Sequence, residues 1–174
     1  TASDTASSNG GPYDINGLGL AGQSNSDDAF YAYAMASDEA TNWIVVGAPG
    51  KNNDQGMTYV MDSNFAVSHQ ALAAPSTDND DSFGITVDIC SNERLIVGAP
   101  GDDGPGNTSA DTGAAFVYEL TNTGFSLMYE ARIPALPSGS RAGEAVAIHP
   151  DWGFFSASRR QSGEVYVINL NAVP

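Results

Sequence analysis

The chain has 174 residues, 41% of them hydrophobic, and carries 6 Lys plus Arg against 21 Asp plus Glu for a formal charge of -15. That is enough apolar material for one domain with a real core, and it excludes a compositionally disordered chain. So negative a field excludes nucleic acid and anionic lipid as partners and favours cations, above all Ca2+.

The opening "TASDTASSNGG" is Ser, Thr, Gly and Asn rich and reads as a flexible tail over residues 1–11 of a mature chain. From residue 12 to 174 the pattern is that of one domain. Scarce Lys, abundant Asn, Ser, Thr, Gly and Asp, and acidity spread over loops indicate a secreted or cell-surface protein. No apolar run reaches the roughly 20 residues of a membrane span, so no membrane insertion is expected. Cys90 is the single cysteine and cannot form an intrachain disulfide. It lies in the apolar run "FGITVDIC" and reads as buried and inert.

Laid against itself, the chain shows a repeat. The copies are "DDAFYAYAMASDEATNWIVVGAPGKNNDQGMTYVMD" from Asp27, "DDSFGITVDICSNERLIVGAPGDDGPGNTSADTGAAFVYEL" from Asp80 and "SRAGEAVAIHPDWGFFSASRRQSGEVYVINL" from Ser140. Gly47 and Gly98 open the two GAPG elements, and Ser156 holds their place in the third copy, where "SASR" stands. Each copy predicts the same strands in the same order. An alternating first strand (Phe83, Ile85, Val87, Ile89) leads by a short turn to an almost continuous apolar run, "WIVV", "RLIV" or "WGFF", as in a strand buried on both faces. A third strand opens on Gly in "GMTYVMD", "GAAFVYEL" and "GEVYVINL". A fourth follows in the first two copies, "FAVSHQALAA" and "FSLMYEARIPA". No segment has a sustained helical period, so the protein is all-β.

Four short antiparallel strands per repeat of about 50 residues is the pattern of a propeller blade. Phe83-Gly84 together with Gly98-Ala99-Pro100, and Gly47-Ala48-Pro49 again, resemble FG-GAP repeats, the blades of the integrin alpha-subunit propeller and of many secreted proteins. The first copy has Phe30-Tyr31 and the third Ala142-Gly143 at the FG position. The resemblance implies a β-propeller with blade repeats at about 27–79, 80–139 and 140–174. Calcium-binding members of that family carry a DxDxDG-type loop between the first two strands. Here "SDEATN", "SNE" and "HPD" stand in its place, as in a short-loop subgroup, so the family's calcium ligands do not carry over.

The third copy has no fourth strand after "GEVYVINLNAVP", whereas residues 12–22 resemble the outer strands that precede the other copies. They are expected to complete a final blade, of their own or of a partner chain. Three blades are too few to close a ring, since propellers ordinarily have about four to eight. A homo-oligomer is therefore expected, either a dimer closing a six-bladed ring or an open polymer, and the rival reading is a fragment of a longer propeller.

Sites are weighed against plainer readings. "LIVGAPGDDGPG" is not a phosphate loop, because no Lys-Ser/Thr and no helix follow it. In the insertion after it, Asp102, Asp103, Asn107 and Asp111 offer hard oxygens suited to Ca2+; a solvated acidic loop is the plainer reading. Asn107-Thr108-Ser109 matches a glycosylation sequon. Asp27, Asp28, Asp78, Asp80 and Asp81 recur in the links between copies. Trp43, Arg94 and Trp152 share one column at the start of the second strand, where tryptophans either stack on sugar rings or pack on the next blade. Arg159 and Arg160 form the one basic pair, fit for a neighbour's carboxylates or for solvent.

His69 and His149 have no nucleophile placed beside them, and chance suffices to bring carboxylates together in so acidic a chain. No enzyme is expected. The sequence points to a non-catalytic extracellular propeller module for adhesion, assembly or recognition of a glycan or protein. The alternatives are a filament or coat subunit built by strand exchange and a polysaccharide-active enzyme.

Overall fold

A computed structural model describes residues 33–62, 70–76, 78–106, 108, 110–158 and 163–173. The tail 1–11, the strand expected over 12–22, Asp27, Asp28, Phe30-Tyr31, His69, Asn107, Arg159 and Arg160 lie outside them.

The strands fall into three antiparallel meanders, one per sequence repeat. The first is β1 (Ala34–Asp38), β2 (Trp43–Ala48), β3 (Met57–Asp62) and β4 (Gln70–Leu72). The second is β5 (Thr86–Cys90), β6 (Arg94–Ala99), β7 (Ala114–Thr121) and β8 (Gly124–Ala131). The third is β9 (Ala142–His149), β10 (Trp152–Ala157) and β11 (Glu164–Asn169), with β11 at its edge. Among the described residues helix is confined to a four-residue turn at Lys51–Asp54, itself broken by positive φ at Asn52 and Asn53. The fold is all-β with propeller-type blades in an open stack.

The core lies between the blades. Val45, Val60 and Leu72 of the first blade meet Phe83, Leu95, Val97, Phe116 and Tyr118 of the second. From its opposite face the second blade sends Ile96, Ala115 and Val117 against Phe155, Ala157 and Ile168 of the third. Successive residues of one strand thus serve two cores, which is why β2 and β6 read as unbroken apolar runs. The third copy departs from that expectation. In β10 only Gly153, Phe155 and Ala157 are buried, alternating with partly exposed neighbours. Its strand is covered on one face because, among the described residues, no fourth sheet stacks on it.

The FG and GAP elements make the junction between blades. A Cβ at Gly47 would collide with the carbonyl oxygen of Gly84, and one at Gly98 with that of Gly143. Gly84 and Gly143 sit at φ +92° and +91°, the left-handed region that favours glycine. Backbone ladders repeat across both junctions. Ser82 N donates to Asp54 O (2.7 Å) and Phe83 N to Gln55 O (3.1 Å); one blade on, Arg141 N donates to Asp111 O (3.0 Å) and Ala142 N to Thr112 O (2.9 Å). The signature is therefore a close backbone approach between consecutive blades.

Candidate functional site

The insertion after the second GAPG rises from the end of β6 and returns at β7. Its base is tied down. Asp102 N donates to Ala99 O (3.2 Å) and Gly113 N to Asp102 O (2.9 Å). Asp111 N donates to Asp103 Oδ1 at 2.6 Å, closing the loop across its neck. The adjoining link is joined to the same base, through Gly139 N to Ala110 O (2.9 Å). Above this neck Pro105, Gly106, Thr108 and Ala110 are exposed. Gly104 and Gly106, at φ +78° and +80°, supply the turns that no β-branched residue would accept.

Asp102 does not face solvent. Its side chain is 2% exposed and is held in a forked pair by Arg132, with Nη2 to Oδ2 at 2.8 Å and Nη1 on Oδ1. Gly104 N donates to the same carboxylate at 2.7 Å. Arg132 also pairs with Glu130 and lies 5.8 Å from the centroid of the Phe116 ring. The fork satisfies an acid that would otherwise be buried and charged. Of the four residues expected to offer oxygens to Ca2+, Asp102 thus points inward to a guanidinium, Asp103 caps Asp111 N, and Asp111 lies 3.6 Å from Arg141. Among the described residues no group of three or more His, Cys, Asp or Glu is arranged to hold a metal ion.

A second acid lies beneath this loop. Asp81, in the link between the first and second blades, is 1% exposed. Its Oδ2 accepts from Asp78 N at 2.6 Å, while Oδ1 is buried with no hydrogen-bond partner among the described residues. Burial pushes its carboxyl up to about 6, opposed by the Asp78 amide and aided by the charges of Asp102, Asp103 and Asp78. Neither Arg132 nor the burial of Asp81 is visible from motif reading. The one signal for Arg132 is its scarcity: it is among only 6 basic residues, set in the apolar context "YEARIPA".

The column at the start of the second strand is split by the structure. Trp43 is half-buried and meets Phe125 of the next blade edge to face, with centroids 5.4 Å apart. Arg94 Nη1 donates to Pro150 O of the third blade at 2.9 Å, and its Nε stands 3.8 Å from Glu119. Trp152 is 41% exposed on the outer side of the third blade. Cys90 is buried, and burial raises its thiol pKa. His149 ends β9, and its Nδ1 accepts from Asp151 N at 3.3 Å.

Residues 67–118 match a family described as FG-GAP repeat. No curated protein matches the chain. FG-GAP repeats are found in extracellular adhesion and recognition β-propeller modules and are typical of extracellular or cell-surface proteins. Among the described residues no helix is long and apolar enough to cross a membrane. The matched span holds both Phe83-Gly84 and Gly98-Ala99-Pro100, the residues that bring consecutive blades together, so the chain carries an FG-GAP repeat over residues 67–118.

Proposed function

We propose that this is a non-catalytic extracellular module that recognises a glycan or protein through the loop between Asp102 and Asp111. The observation that supports this reading is the construction of that loop. Its neck is locked to the scaffold by the Asp102–Arg132 fork and the Asp103–Asp111 bond, while its apex is exposed. Rigidly mounted loops on a stable β scaffold are where binding residues concentrate. The equivalent turn in the first blade, "KNNDQG", is shorter and shares only the backbone part of this base, Gly56 N to Lys51 O (2.9 Å) and Asp80 N to Asn53 O (3.3 Å).

The test is a loop exchange in which residues 102–112 are replaced by the shorter turn of the first blade, together with Arg132→Met and Glu130→Gln to remove charges left without partners. The parent protein should bind members of an array of extracellular polysaccharides and immobilised matrix proteins. The exchanged form should keep its β-sheet circular dichroism and lose at least tenfold in affinity. Binding that survives the exchange unchanged places recognition elsewhere and overturns this reading.

A further inference from the structure

Residues 78–83 lie between two turns. Toward the first blade they are bonded to the turn after β2, through Asp80 N to Asn53 O (3.3 Å), Ser82 N to Asp54 O (2.7 Å) and Phe83 N to Gln55 O (3.1 Å). Toward the second blade Gly101 N donates to Asp81 O at 3.1 Å, and Gly101 immediately precedes the loop from Asp102 to Asp111. The approach leaves no room for a side chain, since a Cβ at Gly101 would lie 1.9 Å from Asp80 O. Asp81 is thus the residue on which the foot of the loop rests.

The equivalent position in the next junction shows what the fold itself requires there. With Phe83-Gly84 aligned on Ala142-Gly143, Asp81 corresponds to Ser140. Ser140 is 2% exposed and its hydroxyl donates to Pro137 O at 2.6 Å, a neutral group closed on its own link. Asp81 also turns back on its link, accepting from Asp78 N at 2.6 Å, but its second oxygen, Oδ1, is buried and meets no hydrogen-bond partner among the described residues. Burial acts most strongly against its ionisation, and the charges of Asp102 and Asp103 at the loop foot and of Asp78 on the link act the same way, opposed by the Asp78 amide. Asp80 on the link, and Lys51 and Asp54 in the first blade's turn, are not among the groups that shift it. Arg132, approaching from the end of β8, is committed to Asp102 and Glu130. A carboxyl so placed is more stable neutral than charged.

We infer that Asp81 is a proton-operated latch for the loop: with its carboxyl neutral the link stays seated on Gly101, and with it ionised the foot of the loop opens. The direction follows from where the proton is held more firmly. In the closed junction the carboxyl is raised to about 6, and opened to water it returns toward 3.8. The closed form is therefore favoured fully below pH 4, less as pH rises to about 6, and by a constant smaller margin above that. On its far side the loop keeps the Asp102–Arg132 fork and the bond from Gly139 N to Ala110 O, so the foot opens without the blade unfolding. Mild acid fixes the loop and neutral pH loosens it. The latch rests on the proposed function for its purpose, since a pH-dependent mount matters to a loop that recognises something.

Hydrogen exchange of the Gly101 amide in the full chain, followed by NMR and corrected for the intrinsic rate, tests this without any ligand. From pH 4 to pH 7 its opening equilibrium should rise roughly fiftyfold relative to amides of β10. The rise should vanish in Asp81→Asn, and again in Asp81→Ser, which copies Ser140. Protection of Gly101 that is the same at both pH values in the parent overturns the latch, as does a rise that persists in the two variants. So does Ca2+ restoring at pH 7 the protection seen at pH 4, because the unpartnered oxygen then takes a cation and not a proton. The two readings fail separately. Exchange that follows pH as expected, beside binding that survives the loop exchange, defeats only the proposed function; binding lost with the loop, beside exchange indifferent to pH, defeats only the latch.

Discussion

Arg132 and Asp81 show how two buried acids under one loop are handled in opposite ways. Asp102 is compensated by a forked guanidinium. Removing that guanidinium leaves an unpaired buried carboxylate, so Arg132→Met should cost about 3–5 kcal/mol in urea unfolding. Adding Asp102→Asn to it should restore a good part of the loss, a coupling that a double-mutant cycle would read directly. Among the described residues Asp81 has no cationic partner in hydrogen-bond reach, and its carboxyl is raised from 3.8 to about 6. A carboxyl raised on folding binds more protons in the native state than in the unfolded one. Its contribution is therefore greatest below pH 4, falls as pH rises through about 6, and is constant beyond. The loss over that window is on the order of 3 kcal/mol. Asp81→Asn keeps an acceptor for Asp78 N and should flatten this part of the stability–pH curve while raising stability at pH 7.5. A variant whose stability still falls between pH 4 and 6 as the parent's does would show that another group is responsible.

At the scale of the blades, the glycine contacts explain why one sequence pattern marks this fold. Gly98 lies against the Gly143 carbonyl, and Thr86 Oγ1 donates to that same oxygen at 2.9 Å. Asp88 and Arg94 fasten the next blade through Ile148 N (2.8 Å) and Pro150 O (2.9 Å). In the third blade these places are taken by Ala145, Ala147 and Trp152, and the glycine's by Ser156. Gly98→Ser should thus force the blades apart at a cost of roughly 1–3 kcal/mol or more. Ser156→Gly, on the side where no described blade packs, should cost no more than about 1 kcal/mol, the ordinary penalty of glycine in a strand. Chemical denaturation of both variants compares the two directly, and equal costs would refute the steric account of the signature.

For the molecule as a whole, much of the architecture was legible because the copies could be compared with one another. Two intact GAPG elements in register marked β2 and β6 together with the turns after them, and the Gly-led third strands followed. What could not be read was how far each apolar run is buried. "WGFF" resembles "RLIV", yet burial of a central strand on both faces depends on a sheet stacking beyond it, which is a property of neighbours. The acidic insertion was equally opaque. Four oxygen donors within ten residues suggest a cation, but Asp102 is turned inward by Arg132, thirty positions along the chain, and no local spacing carries that information. Trp43 and Trp152 illustrate the same limit, since one column of the repeat holds a side chain packed on Phe125 and another left 41% exposed.

The contact of Gly47 with Gly84, and of Gly98 with Gly143, is made by backbone against backbone. Its demand on the sequence is that certain side chains be missing. Such a joint can be copied from blade to blade with few residues held in common, leaving the outward loops free to lengthen. An insertion like that from Asp102 to Asp111 can then arise in one blade without any matching change in its neighbours, so a repeated scaffold comes to carry a feature that occurs once.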